Sequence, residues 1–277
     1  MSDPRAVLRR SGLAPKRSFG QNFLVQDGVV ANIAQACVPE AELGKARVLE
    51  LGGGTGALTR ALAARARSVV AVERDRDLVP LLREEVGETV RVVEGDAQAV
   101  SPSELLGGFE EGSPRVLCGN LPYQLTGRLL ERACAAADDV ERVVFMVQLE
   151  VAERLAASPS SKEYGALTVF VRAAFRVKRL FTVSPGSFHP PPDVTSAVVL
   201  LEPERPRRTP ETDTFRAVVR GAFAMRRKTL RNAWSKVAPA EKVAAAATAA
   251  GVSLDARGET LDVEQFAAMA RALDAAG

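Results

Sequence analysis

Asn120, Leu121, Pro122 and Tyr123 stand at the end of an apolar run, RVLCGN, where an amide, a rigid ring and a phenol follow one another. An amide oxygen and a backbone carbonyl held by a proline are two hydrogen-bond acceptors in fixed positions. Such a pair can draw both hydrogens of an adenine amino group out of the ring plane. That undoes the delocalisation that makes this amine a poor nucleophile. Tyr123 adds a flat face on which a base could stack after leaving its helix. The catalytic task is then positioning, with no general base needed early. A proline turn with an incidental tyrosine would look the same in isolation, so the residues around it must decide.

The run from Glu50 to Ala57 reads ELGGGTGA. Glycines at Gly52, Gly54 and Gly56 let a backbone turn sharply and approach a ligand where a Cβ would collide. Gly52, Gly54 and Ala57 also satisfy the loose dinucleotide pattern. Glu73 closes the next apolar run at the spacing of a ribose-binding carboxylate. A plain tight turn is the alternative, and the glycines alone do not choose between a nicotinamide dinucleotide and S-adenosylmethionine. The later runs close in Asp96-Ala97 and in Asn120. In a doubly wound sheet all these carboxyl ends open onto one crevice. A carboxylate at Asp96, able to accept from an adenine amino group, favours S-adenosylmethionine.

Those residues need strands to carry them. Val- and Leu-rich runs at 46–52, 68–73, 90–96, 114–120 and 142–150 are almost free of polar residues, as strands covered on both faces are. Helical patterns alternate with them, and Gly87 marks one helix end. This predicts an α/β fold, a Rossmann-like, doubly wound and mostly parallel sheet. Two further strand candidates, VKRLFTVSP and VTSAVVLLEP, flank the prolines 190–192. The linker-like EPERPRRTP precedes an all-helical remainder. The expected domains are residues 1–203, with a basic amino-terminal arm, and a smaller all-α domain over 204–277.

The 277 residues are 47% hydrophobic and 26% charged, with a net charge of +3. These are the proportions of an ordinary folded chain. No apolar run is long enough to span a bilayer and MSDPRAVLRR lacks a secretion signal's apolar centre, so a cytoplasmic protein with no membrane partner is expected. Cys37, Cys118 and Cys134 have no metal-ligand rhythm and read as buried thiols. A single histidine, His189, argues against a His-pair metal site and a Ser-His-Asp arrangement. No metal is expected.

Positive charge is concentrated in two places. Residues 1–20 hold five basic residues against Asp3, and residues 205–236 hold ten against Glu211 and Asp213. At helical period over 215–237, Arg216, Arg220, Arg227 and Arg231 share a face, with Lys228 beside them. Val218, Val219, Ala222, Met225, Leu230 and Ala233 fill the opposite arc, into which Arg226 points awkwardly. Such a stripe suits a phosphate backbone, although a merely solvated face has the same pattern.

Taken together, these segments resemble the small-subunit ribosomal RNA adenine dimethyltransferases of the KsgA type. The resemblance is carried by KRSFGQNFL (16–24), VLELGGGTGALT, AVERDRDL, GDA and NLPY, in that order. It continues through FMVQLEVAERL, SKEYGALTV, SFHPPPDVTSAVV (187–199) and AFAMRRKTLRN (222–232). It implies that Gln21, Asn22 and Leu24 border the methyl donor, and that Phe188 forms a second wall of the adenine pocket opposite Tyr123. It also implies a catalytic donor domain, a helical RNA-binding domain, and the substrate. That substrate is two adjacent adenines in the 3′-terminal hairpin loop of 16S rRNA, dimethylated at their amino nitrogens within an assembling small subunit. A monomer is expected. Gly53 stands where many members carry proline, Gln124 replaces a common asparagine, and Gly127-Arg128 is atypical. A related class, acting on one adenine of large-subunit rRNA, shares the GQNFL and NxPY segments. A non-catalytic assembly factor and a small-molecule methyltransferase are the more distant alternatives.

Overall fold

The computed structural model describes residues 3–108, 110–225 and 227–275, so Arg226 and its awkward position lie outside the described residues. The chain opens with helix α1 (Pro4–Ser11), started by the Asp3 carboxylate accepting from the Arg5 amide and ended by Gly12 in the left-handed region. An arm then leads into a two-residue strand, β1 (Phe23–Leu24), and helix α2 (Asp27–Cys37). From there strands and helices alternate. They run β2 (Arg47–Leu51), α3 (Ala57–Ala63), β3 (Ser68–Glu73), α4 (Leu78–Val86), β4 (Val90–Glu94), α5 (Pro102–Leu106), β5 (Arg115–Asn120), α6 (Thr126–Ala135) and β6 (Arg142–Gln148). The chain continues through α7 (Leu149–Ala156), α8 (Ala166–Ala174), β7 (Phe175–Val183), β8 (Phe188–His189) and β9 (Ser196–Pro203).

Seven strands form one sheet in the order β4-β3-β2-β5-β6-β9-β7. The first five are parallel, and β9 runs antiparallel to β6. The apolar runs form this sheet because both faces are covered. Val48, Leu49, Val116, Leu117, Val143 and Val144 are at most 1% exposed, and each such side chain contributes about 1.5–3 kcal/mol. Strand order reverses between β2 and β5, which places a crevice at their carboxyl ends. Gly119 allows the close approach there, since a Cβ on it would stand 2.4 Å from the Leu51 carbonyl oxygen. The three cysteines are buried and form no disulfide among the described residues. No helix among the described residues is long and apolar enough to cross a membrane.

The chain separates into two compact units. One comprises residues up to Ala152 with Lys178–Pro203; the other comprises Glu153–Val177 with the residues from Glu204 onward. The sequence places the whole of 153–177 in the first domain, whereas its apolar face completes the core of the second. There Tyr164, Val169 and Phe170 pack with Phe215, Trp234 and Phe266.

The second unit also corrects the expected helix over 215–237. Helix α9 (Asp213–Ala224) stops, and the chain resumes as α10 (Leu230–Ala233) and a short 3₁₀ turn, Trp234–Lys236. At the restart, the amides of Leu230 and Arg231 donate to the carbonyls of Ala256 and Leu254 rather than to their own helix. The Trp234 indole then reaches back to donate to the Val218 carbonyl at 2.8 Å. Gly221 makes room for this return, because a Cβ there would meet Val237 at 2.8 Å. Helices α11 (Ala240–Ala249) and α12 (Val263–Ala275) close the unit.

In the first unit, Glu50 on β2 is 1% exposed, and its Oε2 has no hydrogen-bond partner among the described residues. Burial pushes its carboxyl up to about 8, and the Glu73 carboxylate adds to the effect. In the unfolded chain this group ionises near 4.5. Its contribution to stability is therefore fully present below about pH 4.5 and is lost as pH rises towards 8. Glu50→Gln removes that loss. Melting temperatures across pH 5 to 8 should show the variant gaining steadily on the wild type, whereas parallel curves would contradict a neutral buried acid.

Candidate active site

The carboxyl ends of β2, β3, β4 and β5 and the arm before β1 line one crevice in the first unit. At its floor the glycine turn places Gly52, Gly54 and Gly56 in the left-handed region, with φ of 84°, 54° and 80°. Only glycine adopts that run without strain. Gly54 donates its amide to Glu73 Oε2 at 2.8 Å. A Cβ on Gly54 would come within 3.2 Å of the Phe23 ring, so the turn and the arm meet closely. Gly53 faces away from this contact, towards Leu82.

Glu73 ends β3 nearly buried, and its Oε1 accepts from the Asp75 amide at 2.8 Å. Burial raises its pKa, while the backbone donors oppose that rise. Asp96, just beyond β4, accepts from the Gln98 amide at 2.9 Å, and the Arg74 guanidinium lies 3.8 Å away. These two carboxylates stand beside a glycine cradle in which a side chain would occupy the space. That donor set fits the ribose hydroxyls and adenine amine of S-adenosylmethionine. Among the described residues no group of three or more His, Cys, Asp or Glu side chains could hold a metal ion.

Asn120 ends β5, and its Nδ2 donates to the Asn22 carbonyl at 2.9 Å. With the amide nitrogen committed to the arm, Oδ1 is the atom left to accept at the crevice. The Leu121 amide donates to the Met146 carbonyl at 3.1 Å, and no donor among the described residues reaches the Leu121 carbonyl. Pro122 holds the following turn extended, with φ −57° and ψ 128°. Tyr123 starts a 3₁₀ turn and shares a 2.9 Å hydrogen bond between its hydroxyl and Ser196 Oγ, which fixes the ring from its far end. Burial raises the phenol's pKa, so the tyrosine stays neutral.

The crevice wall thus contains Gln21, Asn22, Gly52, Gly54, Glu73, Asp96, Ala97 and Asn120–Tyr123. Three further residues expected at the site, Gly56, Leu24 and Phe188, are not among those lining this crevice. Gly56 begins α3 and faces Leu82 and Val86. Leu24 and Phe188 are 5% and 4% exposed within the sheet core. The reason is the β1–β8 ladder, which pairs Leu24 with Phe188 and Phe23 with His189. Paired residues share a side and neighbours alternate. Phe23 lines the crevice, whereas the Leu24 and Phe188 side chains pack in the core beside it. Instead, the lining includes Phe19, which the sequence reading passes over. Its ring has Lys16 Nζ 5.5 Å from its centre and the Arg74 guanidinium 5.3 Å from it.

The expected arginine stripe belongs to the second unit and is broken with its helix. Arg216 pairs with Glu211 at 3.0 Å and Asp213 at 3.6 Å, and Arg220 lies over the Phe170 ring. Arg231 pairs with Asp255 at 3.2 Å on α10. Arg227 and Lys228 are exposed in the turn after α9, with no ion-pair partner among the described residues.

A profile of the family described as ribosomal RNA adenine dimethylase matches residues 12–275. The chain is 44% identical over 280 residues to the ribosomal RNA small subunit methyltransferase A of Anaeromyxobacter dehalogenans (strain 2CP-C), covering 98% of this chain and 97% of that protein. Among solved structures, the 23S rRNA methyltransferase ErmE superposes with a TM-score of 0.65 at 27% identity, covering 91% of this chain and all of ErmE. A dimethyladenosine transferase from Plasmodium falciparum gives a TM-score of 0.73 at 24% identity, covering 89% of this chain and 95% of the other, and shows the same fold. Similarity that runs the whole length of the chain, on the fold of the class I methyltransferases, carries one conclusion. The chain belongs to the ribosomal RNA adenine dimethylase family.

Proposed function

We propose that this protein is an S-adenosylmethionine-dependent methyltransferase that dimethylates the amino nitrogens of two adjacent adenines in the 3′-terminal hairpin loop of 16S rRNA. Its substrate would be an assembling small ribosomal subunit in the cytoplasm, and the protein would act as a monomer without a metal. The observation that carries this reading is the Asn120 amide, whose nitrogen is tied to the arm in a crevice that Asn120 and Leu121 both line. The greater identity to a small-subunit enzyme than to ErmE favours the small-subunit substrate.

S-adenosylmethionine supplies an electrophilic methyl group when bound. Glu73 would hold its ribose, Asp96 its adenine amine, and Gln21 and Asn22 would border it from the arm. Asn120 Oδ1 and the Leu121 carbonyl would accept the two amino hydrogens of the target base, with Pro122 holding their spacing. Tyr123, tethered through Ser196, would present its ring to the splayed base. Loop adenines leave the stack at little cost. Tyr123 does not act as a base, being neutral. The first transfer leaves a neutral thioether and a cationic nitrogen, which sheds one proton to solvent; one N–H then remains, and one acceptor still suffices to orient the nitrogen for the second. In the helical unit Arg216, Arg220, Arg227, Lys228 and Arg231 are the candidate phosphate contacts; Arg216 and Arg231 already pair with carboxylates, whereas Arg227 and Lys228 have no carboxylate partner among the described residues.

Labelled donor supplied with unmethylated small subunits should place dimethyladenosine at two neighbouring loop positions. Label entering only large subunits, at one adenine, would reverse the assignment. Asn120→Ala should bind S-adenosylhomocysteine within a few-fold of wild type while turnover falls by about 10²-fold, the scale of lost positioning. Undiminished turnover would remove Asn120 from its role. Neutralising Arg227 and Lys228 together should weaken rRNA binding and reduce the log–log salt slope by about 2. Arg216→Ala should change the slope less, since Glu211 and Asp213 already neutralise that guanidinium; equal slopes in all variants would contradict this ranking.

A further inference from the structure

Asp75 belongs to no part of the reaction described so far, yet it is 3% exposed at the rim of the crevice. It closes a ring of hydrogen bonds with the arm. Asp75 Oδ2 accepts from Gln21 Nε2 at 2.7 Å, and Gln21 Oε1 accepts from the Lys16 amide at 2.7 Å. Lys16 Nζ returns to Asp75 Oδ1 at 2.5 Å and also reaches Asp77 Oδ2 at 2.6 Å. Burial would raise the Asp75 carboxyl's pKa, but Lys16, Gln21 and the Asp77 amide together hold it below the ordinary value.

The ring is joined to the rest of the crevice at both ends. Through its own amide Asp75 orients Glu73 Oε1, while Glu73 Oε2 takes the Gly54 amide. At the far end of the arm, the Asn22 carbonyl takes the Asn120 amide. One buried carboxylate therefore pins the strap of residues 16–22 between the donor wall and the strand-end amide. We infer that Asp75 is a positioning residue that fastens this strap across the donor pocket, acting on donor affinity through Gln21 and Lys16 without touching the transferred group. The inference rests on the donor-binding reading above.

Calorimetric titration with S-adenosylhomocysteine tests it without turnover. Asp75→Ala should raise Kd by about tenfold or more, the usual contribution of one or two charge-assisted hydrogen bonds. Hydrogen exchange should show the amides of residues 16–22 losing protection while those of the sheet keep theirs. Gln21→Ala should cost less affinity in the Asp75→Ala background than in the wild type, because both changes cut one linkage. Asp75→Asn, of equal size and retaining one acceptor, and Lys16→Met should fall between wild type and Asp75→Ala, and they serve if the alanine variant fails to fold. Wild-type Kd in Asp75→Asn and Lys16→Met, or additive losses in the Gln21 and Asp75 pair, would overturn the inference alone. A wild-type protein that does not bind S-adenosylhomocysteine would overturn the donor reading beneath it as well.

Discussion

The hydrogen bond from Asn120 Nδ2 to the Asn22 carbonyl joins the two parts of the chain that must cooperate in one site. A terminal amide left free would rotate and offer the crevice either a donor or an acceptor. Tying its nitrogen to the arm selects the acceptor. It also requires the arm to lie across the carboxyl ends of β2 and β5 before Asn120 has a defined face. The arm is held in turn by Asp75, and Asp75 orients Glu73. The acceptor proposed for the target amine and the carboxylate proposed for the donor ribose are therefore parts of one hydrogen-bonded frame.

That frame stands on a parallel sheet whose energetics are apolar. The Val and Leu side chains of β2, β5 and β6 lose nearly all exposure, and the backbone polar groups are satisfied by neighbouring strands. At Glu50 the sheet holds a carboxyl oxygen with no hydrogen-bond partner among the described residues, and burial favours the neutral form of that carboxyl. Gly119 and the left-handed glycines 52, 54 and 56 bring the strand ends and the turn close together. Side chains there would push apart the backbones that define the crevice.

Much of this was readable from residue order, since both-face burial leaves a plain mark in the Val-rich runs and the glycine turn has few other uses. Glu73, Asp96 and Asn120 follow from where such runs end. What escaped reading depends on partners distant in the chain. The break in the helix over 215–237 is made by the carbonyls of Leu254 and Ala256, which no helical wheel contains. The direction of Phe188 is set by its pairing with Leu24, more than 160 residues earlier. Glu153–Val177 reads as part of an α/β alternation, and only its packing against Phe215 and Phe266 assigns it to the helical unit. Asp75 stands in a run of alternating charge, and its part in the crevice shows only once Gln21 is placed beside it.

A crystal structure with S-adenosylhomocysteine and an adenine nucleotide bound tests the central claim most directly. The account predicts the adenine amino group within hydrogen-bonding distance of both Asn120 Oδ1 and the Leu121 carbonyl, with Asn120 Nδ2 still on Asn22 and the base against Tyr123. An Asn120 amide released from the arm and turned with its nitrogen towards the base, or an amino group directed elsewhere in the crevice, would contradict it.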